Sequence, residues 1–105
     1  MQKLVAIAVL LVLDTSTALA DPTPVRQREL RDLVKNECVM CHGVGRLGGE
    51  GPSLLPSDIK FKDKDDLVST ILNGRGSRMP PWYTRLSRED ARFIVEHVLT
   101  SEPEY

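Results

Sequence analysis

The chain has 105 residues, enough for one small domain, and its 14 basic and 15 acidic side chains leave a formal charge of −1. That balance excludes the strongly basic surface that nucleic acid or an anionic membrane surface would call for. Both cysteines lie inside one five-residue stretch, so any sulfur chemistry is confined there.

The chain opens with MQKLVAIAVLLVLDTSTALA, in which Lys3 precedes an apolar run from Leu4 to Leu13, Asp14 and Thr15 close the run, and Ala18-Leu19-Ala20 ends it. This is the pattern of a secretory signal. The run is short for a permanent membrane anchor. The expectation is a cleaved signal peptide over residues 1–20, export to the periplasm, and one domain over residues 21–105 with no membrane insertion after cleavage. A domain of that size leaves much of its surface wet and often needs a metal, cofactor or other staple.

Three helices are predicted in the exported part. The first runs from Pro24 to about Glu37, with Pro24 at its entrance and Leu30, Leu33 and Val34 at helical spacing. The second spans Lys64 to Asn73, with Asp63 as N-cap, an apolar stripe of Leu67, Val68, Ile71 and Leu72, and Gly74 as the stop. The third spans Arg88 to about Thr100. Ser87 caps it with Asp90 three residues on, and Ala91, Ile94, Val95, Val98 and Leu99 line one face. No stretch alternates as a strand does, so the fold class is all-α. The segment from His42 to Lys62 has little periodicity and many Gly and Pro residues, a long loop that a large apolar cofactor would explain.

The stretch CVMCH, residues 38–42, follows the first helix directly. It could hold a metal, shuttle a disulfide or anchor a haem. A structural zinc site needs four ligands, and outside this stretch only His97 remains as a nitrogen donor. A thiol oxidoreductase would place its C-x-x-C in a βαβ pattern, which is absent here. Haem attachment fits both spacing and context. Cys38 and Cys41 lie on one face of a helical turn and can each form a thioether with the same porphyrin, and His42 is placed to ligate its iron.

Two residues compete for the distal side. Met79 lies in the loop GRGSRMPPWYTRL, stiffened by Pro80 and Pro81, whereas Met40 is tied to the histidine side between the cysteines. His97, on the last helix near Phe93, is the rival; the loop context favours Met79. His/Met ligation fills both axial positions and suits outer-sphere electron transfer rather than substrate chemistry, so the chain reads as an electron-transfer protein and not an enzyme.

CVMCH, then GPSL at Gly51 to Leu54, then MPPW at Met79 to Trp82 before an amphipathic last helix, resembles the class I c-type cytochromes of the small bacterial monohaem kind. GGEGPSL and ILNGRGSRMPPW resemble more narrowly the cytochrome c55X family, associated with cytochrome cd1 nitrite reductase. The resemblance implies one covalently bound haem c per chain on Cys38 and Cys41, with His42 proximal and Met79 distal. It also implies that the Pro52 carbonyl accepts a hydrogen bond from the His42 ring, that Leu54 packs on the haem, and that the first and last helices cross. Arg75, Arg78 and Trp82 flank the distal loop and are candidates for contact with the haem propionates. The arginines Arg75, Arg78, Arg85, Arg88 and Arg92 outnumber Glu89 and Asp90 in this region, a face suited to an acidic redox protein. The partner the resemblance implies is cytochrome cd1 nitrite reductase. Two alternatives stand beside electron delivery: an accessory role in maturation of that reductase, including its d1 haem, and a haem sensor whose methionine detaches.

Overall fold

The computed structural model describes residues 2–12 and 20–103. The expected close of the apolar run at Asp14 and Thr15, and the Ala18-Leu19 part of the cleavage stretch, lie outside the described residues. Residues 2–12 carry no helix or strand, and the apolar side chains from Leu4 to Val12 are exposed. Among the described residues no helix is long and apolar enough to cross a membrane.

The architecture is all-α, as the periodicity predicts. Helix α1 (Pro24–Leu33) starts with Thr23, whose hydroxyl accepts from the Arg26 N–H at 3.2 Å, and Pro24 occupies the first turn, where no donor is missed. The helical path does not stop near Glu37. It widens into a π-helical segment (Val34–Cys38) and resumes as α2 (Val39–His42). A π-turn inserts a residue, which rotates the side chains beyond it by about 100° relative to the preceding turns. Cys38 and Cys41 are therefore not in the register that α1 alone would give them.

Two elements interrupt the long loop: a 3₁₀ turn (Val44–Arg46) and the one-turn α3 (Pro56–Ile59). Neither is long enough to show a period in sequence. Helix α4 (Lys64–Asn73) begins at Asp63, whose carboxylate accepts from the Asp66 N–H at 3.0 Å, and ends at Gly74. Helix α5 (Arg88–Thr100) begins with a complete capping box between Ser87 and Asp90. The only strand-like feature among the described residues is an isolated bridge between Arg75 and Met79.

The core forms where α5 packs across α1 and beside α4. Leu30, Val34, Ile59, Leu86, Ile94 and Val98 make one buried cluster, and Val68, Ala91 and Val95 a second. At the helix crossing Ile94 is in the core, while half-buried Phe93 stacks on His97 and lies 5.8 Å under the Arg31 guanidinium. Arg26 locks the first turns of α1 and α5 together: its Nε and Nη2 donate to the two carboxylate oxygens of buried Asp90, at 3.3 and 2.9 Å. Such a two-point pair is stronger and more directional than a single contact.

The Arg26 hydrogen bonds hold the Asp90 carboxyl below the usual carboxylate range, outweighing the opposing effect of burial. A lowered folded-state pKa contributes stability that is present above the unfolded value, about 4, and is lost as pH falls through the folded value. Urea unfolding should therefore show Asp90→Asn clearly less stable than the native protein at pH 7, with the gap narrowing below about pH 4. A gap independent of pH would mean that Asp90 acts through packing and not through its charge.

Candidate functional site

A cleft of about 700 Å³ lies between the α1–α2 run, the loop over residues 50–54, helices α3 to α5 and the loop after α4. Its volume falls within the roughly 300–1,000 Å³ common to ligand pockets, and its lining is mostly apolar. Cys38, Cys41, His42, Pro52, Leu54, Arg75, Arg78, Met79 and Trp82 all line it, so the fold brings these nine residues to one cleft. Met40 is 79% exposed and does not line it; His97 lies outside it, on a small hollow with Arg31 and Arg46.

The two cysteines are free thiols in different surroundings. Burial, reinforced by the neighbouring Glu37 carboxylate, pushes the Cys38 thiol up to about 11, so it is neutral near pH 7. Cys41 is exposed. His42 Nδ1 lies 2.7 Å from the Pro52 carbonyl oxygen. A carbonyl can only accept, so Nδ1 carries the proton and Nε2 keeps its lone pair for a metal. The same contact fixes the ring plane.

Backbone geometry explains how two separate segments reach this cleft. The last carbonyls of a helix lack partners within it. At the end of α2 they are met by the following loop: Cys41 O accepts from Gly51 N at 2.8 Å and His42 O from Gly48 N at 2.7 Å. At the end of α4 the solution is similar. Ile71 O accepts from Trp82 N at 3.1 Å and Leu72 O from Tyr83 N at 3.2 Å. Between those anchors Arg75 and Met79 exchange backbone hydrogen bonds at 3.0 and 3.3 Å, closing a tight turn that presents Met79. Gly43 and Gly74 make both reversals possible, with φ/ψ of 85/155° and 74/178°, a region open almost only to glycine.

The rim is electrically divided. Exposed Arg75 and Arg78 stand on the Met79 loop, while Glu50, Asp58, Asp63 and Asp66 stand on other parts of the cleft lining, with Lys62 among them. The five arginines do not form one uncommitted face: Arg85 pairs with Glu37 at 3.0 Å and Arg92 lies 3.8 Å from Asp65.

Sequence reasoning missed two contributors. Glu37 lines the cleft beside Cys38, which only the π-turn decides. Arg46 is 4% exposed, has a positive φ of 60°, and reaches the end of α5, donating to Val98 O at 3.1 Å and Ser101 O at 2.7 Å. A cation there meets the negative end of the helix, and the Arg46 carbonyl in turn accepts from Leu54 N at 2.9 Å. A lone arginine among glycines gives no periodic signal that would predict this.

Two thiols, an oriented imidazole, a thioether from a second segment and apolar walls form a donor set that suits a covalently attached haem. Comparison with known proteins points the same way. Residues 25–98 match the family described as cytochrome c oxidase, cbb3-type, subunit III. Cytochrome c55X of Paracoccus denitrificans is 41% identical over 100 residues, covering 93% of this chain and 97% of that protein. Among solved structures, the c-type cytochrome NirC superposes with a TM-score of 0.72 at 40% identity, over 74% of this chain and 93% of that one. The dihydro-heme d1 dehydrogenase NirN, in complex with DHE, gives a TM-score of 0.63 at 32% identity, over 70% of this chain and 16% of that one.

A methyl group added at Gly74 would stand 2.4 Å from Met79 O and 2.9 Å from Pro81 N. With ~1–3 kcal/mol of backbone strain and ~4–8 °C per kcal/mol for a domain of this size, Gly74→Ala should lower the thermal midpoint by at least about 4 °C. A melt followed by circular dichroism measures it, and an unchanged midpoint would show that the loop yields freely.

Proposed function

The chain belongs to the cytochrome c55X family of small c-type cytochromes, and from that premise we propose that it is a periplasmic carrier of single electrons, not an enzyme. The observation that carries the reading is the convergence of Cys38, Cys41, His42 and Met79 on one mostly apolar cleft. In this reading residues 1–20 are removed on export, a step that the exposed apolar side chains of Leu4 to Val12, outside both core clusters, support. Cys38 and Cys41 would hold one haem c through thioethers, and His42 and Met79 would supply ligands to its iron. The haem supplies a one-electron ferric–ferrous couple, tuned by its ligands and surroundings.

The protein's share of the work is rigidity and access. The Pro52 carbonyl keeps the His42 ring in one orientation. The Arg75–Met79 turn and the two bonds to the end of α4 hold the thioether's backbone in place. The mostly apolar lining of the cleft favours fast exchange of an electron with little rearrangement. Exposed Arg75 and Arg78 at the rim, with Trp82, are placed to meet the propionates or an acidic partner.

The proposed partner is cytochrome cd1 nitrite reductase, with the chain as electron donor. A second reading has a specific observation behind it: the chain resembles a cytochrome-sized part, 16%, of a dihydro-heme d1 dehydrogenase. A freestanding domain of that kind would serve maturation of the d1 haem by accepting electrons withdrawn from its dihydro precursor.

Anaerobic stopped-flow mixing separates the two. The reduced, haem-loaded protein should be oxidised rapidly by oxidised cytochrome cd1 nitrite reductase, and Arg75→Glu with Arg78→Glu should slow the reaction several-fold at low salt and little at high salt. No transfer to the reductase, together with rapid reduction of the oxidised protein by a dihydro-haem d1 dehydrogenase and its substrate, would favour maturation.

A further inference from the structure

Arg85 occupies a junction that the electron-carrier reading does not use. Its Nη2 lies 3.0 Å from Glu37 Oε2 and donates to Oε1 at 3.3 Å. Glu37 is the residue immediately before Cys38 and lines the cleft. The same guanidinium lies 4.9 Å from the centroid of the Trp82 ring, and the Arg85 N–H donates to the Trp82 carbonyl at 2.9 Å. Trp82 follows Met79 by three residues and is itself bonded to the end of α4. Finally, the Arg85 carbonyl accepts from Arg26 Nη2 at 3.1 Å, which ties the junction to the α1–α5 lock.

One side chain thus joins the segment bearing the first cysteine to the loop bearing Met79. Glu37 Oε2 is itself shielded from solvent and makes no well-directed hydrogen bond, so its link to Arg85 is ionic. With both side chains partly exposed, a pair of this kind adds little to global stability. A small bias is still enough to govern a local opening, because the rate at which an outside ligand gains the iron follows the population of the opened state.

Resting on His42/Met79 ligation, we propose that Arg85 is a positioning residue: paired with Glu37 and stacked on Trp82, it keeps the Met79 loop against the cleft and suppresses exchange of the distal ligand. Two features separate this role from general stabilisation. It is ionic, so salt weakens it, and it is local, so the fold survives its loss.

The test uses the haem-loaded protein and its Arg85→Ala, Arg85→Lys and Glu37→Gln variants. The readouts are the far-red thioether-to-ferric-iron absorption band and the rate of carbon monoxide binding to the reduced protein. Arg85→Ala should weaken the band and raise the binding rate about threefold to tenfold. Glu37→Gln should act in the same direction to a smaller extent, because the Trp82 stack remains, and Arg85→Lys should lie between native and Arg85→Ala. Added salt should speed binding in the native protein and much less in Glu37→Gln. If Arg85→Ala does not yield a folded haem protein, Glu37→Gln and the salt series carry the test. Band and rate at native values in Glu37→Gln, with no salt effect in the native protein, would overturn the role of Arg85 and leave Met79 ligation standing. A native protein without the band would overturn Met79 ligation itself, and the role of Arg85 with it.

Discussion

The structure depends on a shared wall. Val34, Ile59, Leu86, Ile94, Val95 and Val98 belong to the buried core and also line the cleft. Each of these side chains packs on neighbours from one side and faces the cleft from the other. A chain this short buries a modest fraction of its surface, and here much of that apolar material surrounds a cavity instead of filling it. An apolar group seated in the cleft would therefore act as a core element as much as a cofactor, since atoms along a gap lose the dispersion contacts of close packing.

The polar interactions answer the same constraint from outside. Arg26 and Asp90 fix the first turns of α1 and α5, and Arg46 grips the last turn of α5. The longest helix is thus held at both ends by arginines from other parts of the chain. Between those grips α5 can present Ile94, Val95 and Val98 along the cleft. The helix ends complete the arrangement, because carbonyls that α2 and α4 leave without partners recruit the loops over residues 43–51 and 75–83. The backbone of the binding loops is therefore part of the helix-capping pattern, and the positions of His42 and Met79 follow from it.

The split rim gives the site a direction. Arg75 and Arg78 stand on the Met79 loop, acids stand elsewhere around the cleft, and Arg85 is drawn inward by Glu37. A redox partner that docks by charge would meet a narrower basic surface than a count of arginines in the region suggests.

Much of this was legible in the residues alone. The boundaries of α4 and α5 were, because Asp63, Gly74 and the Ser87–Asp90 box are local signals whose hydrogen bonds span three or four residues. The grouping of Cys38, Cys41 and His42 was equally local. The choice of Met79 over His97 rested on loop composition, and the fold puts the first on the cleft and the second outside it. What the sequence could not decide were the features set by distant contacts. The π-turn that aims Glu37 and Cys38, the one-turn α3, the burial of Arg46 against α5 and the diversion of Arg85 to Glu37 all depend on partners far along the chain. Local propensity fixes where a helix starts and stops; which charge is free and which is committed is settled only when the helices cross.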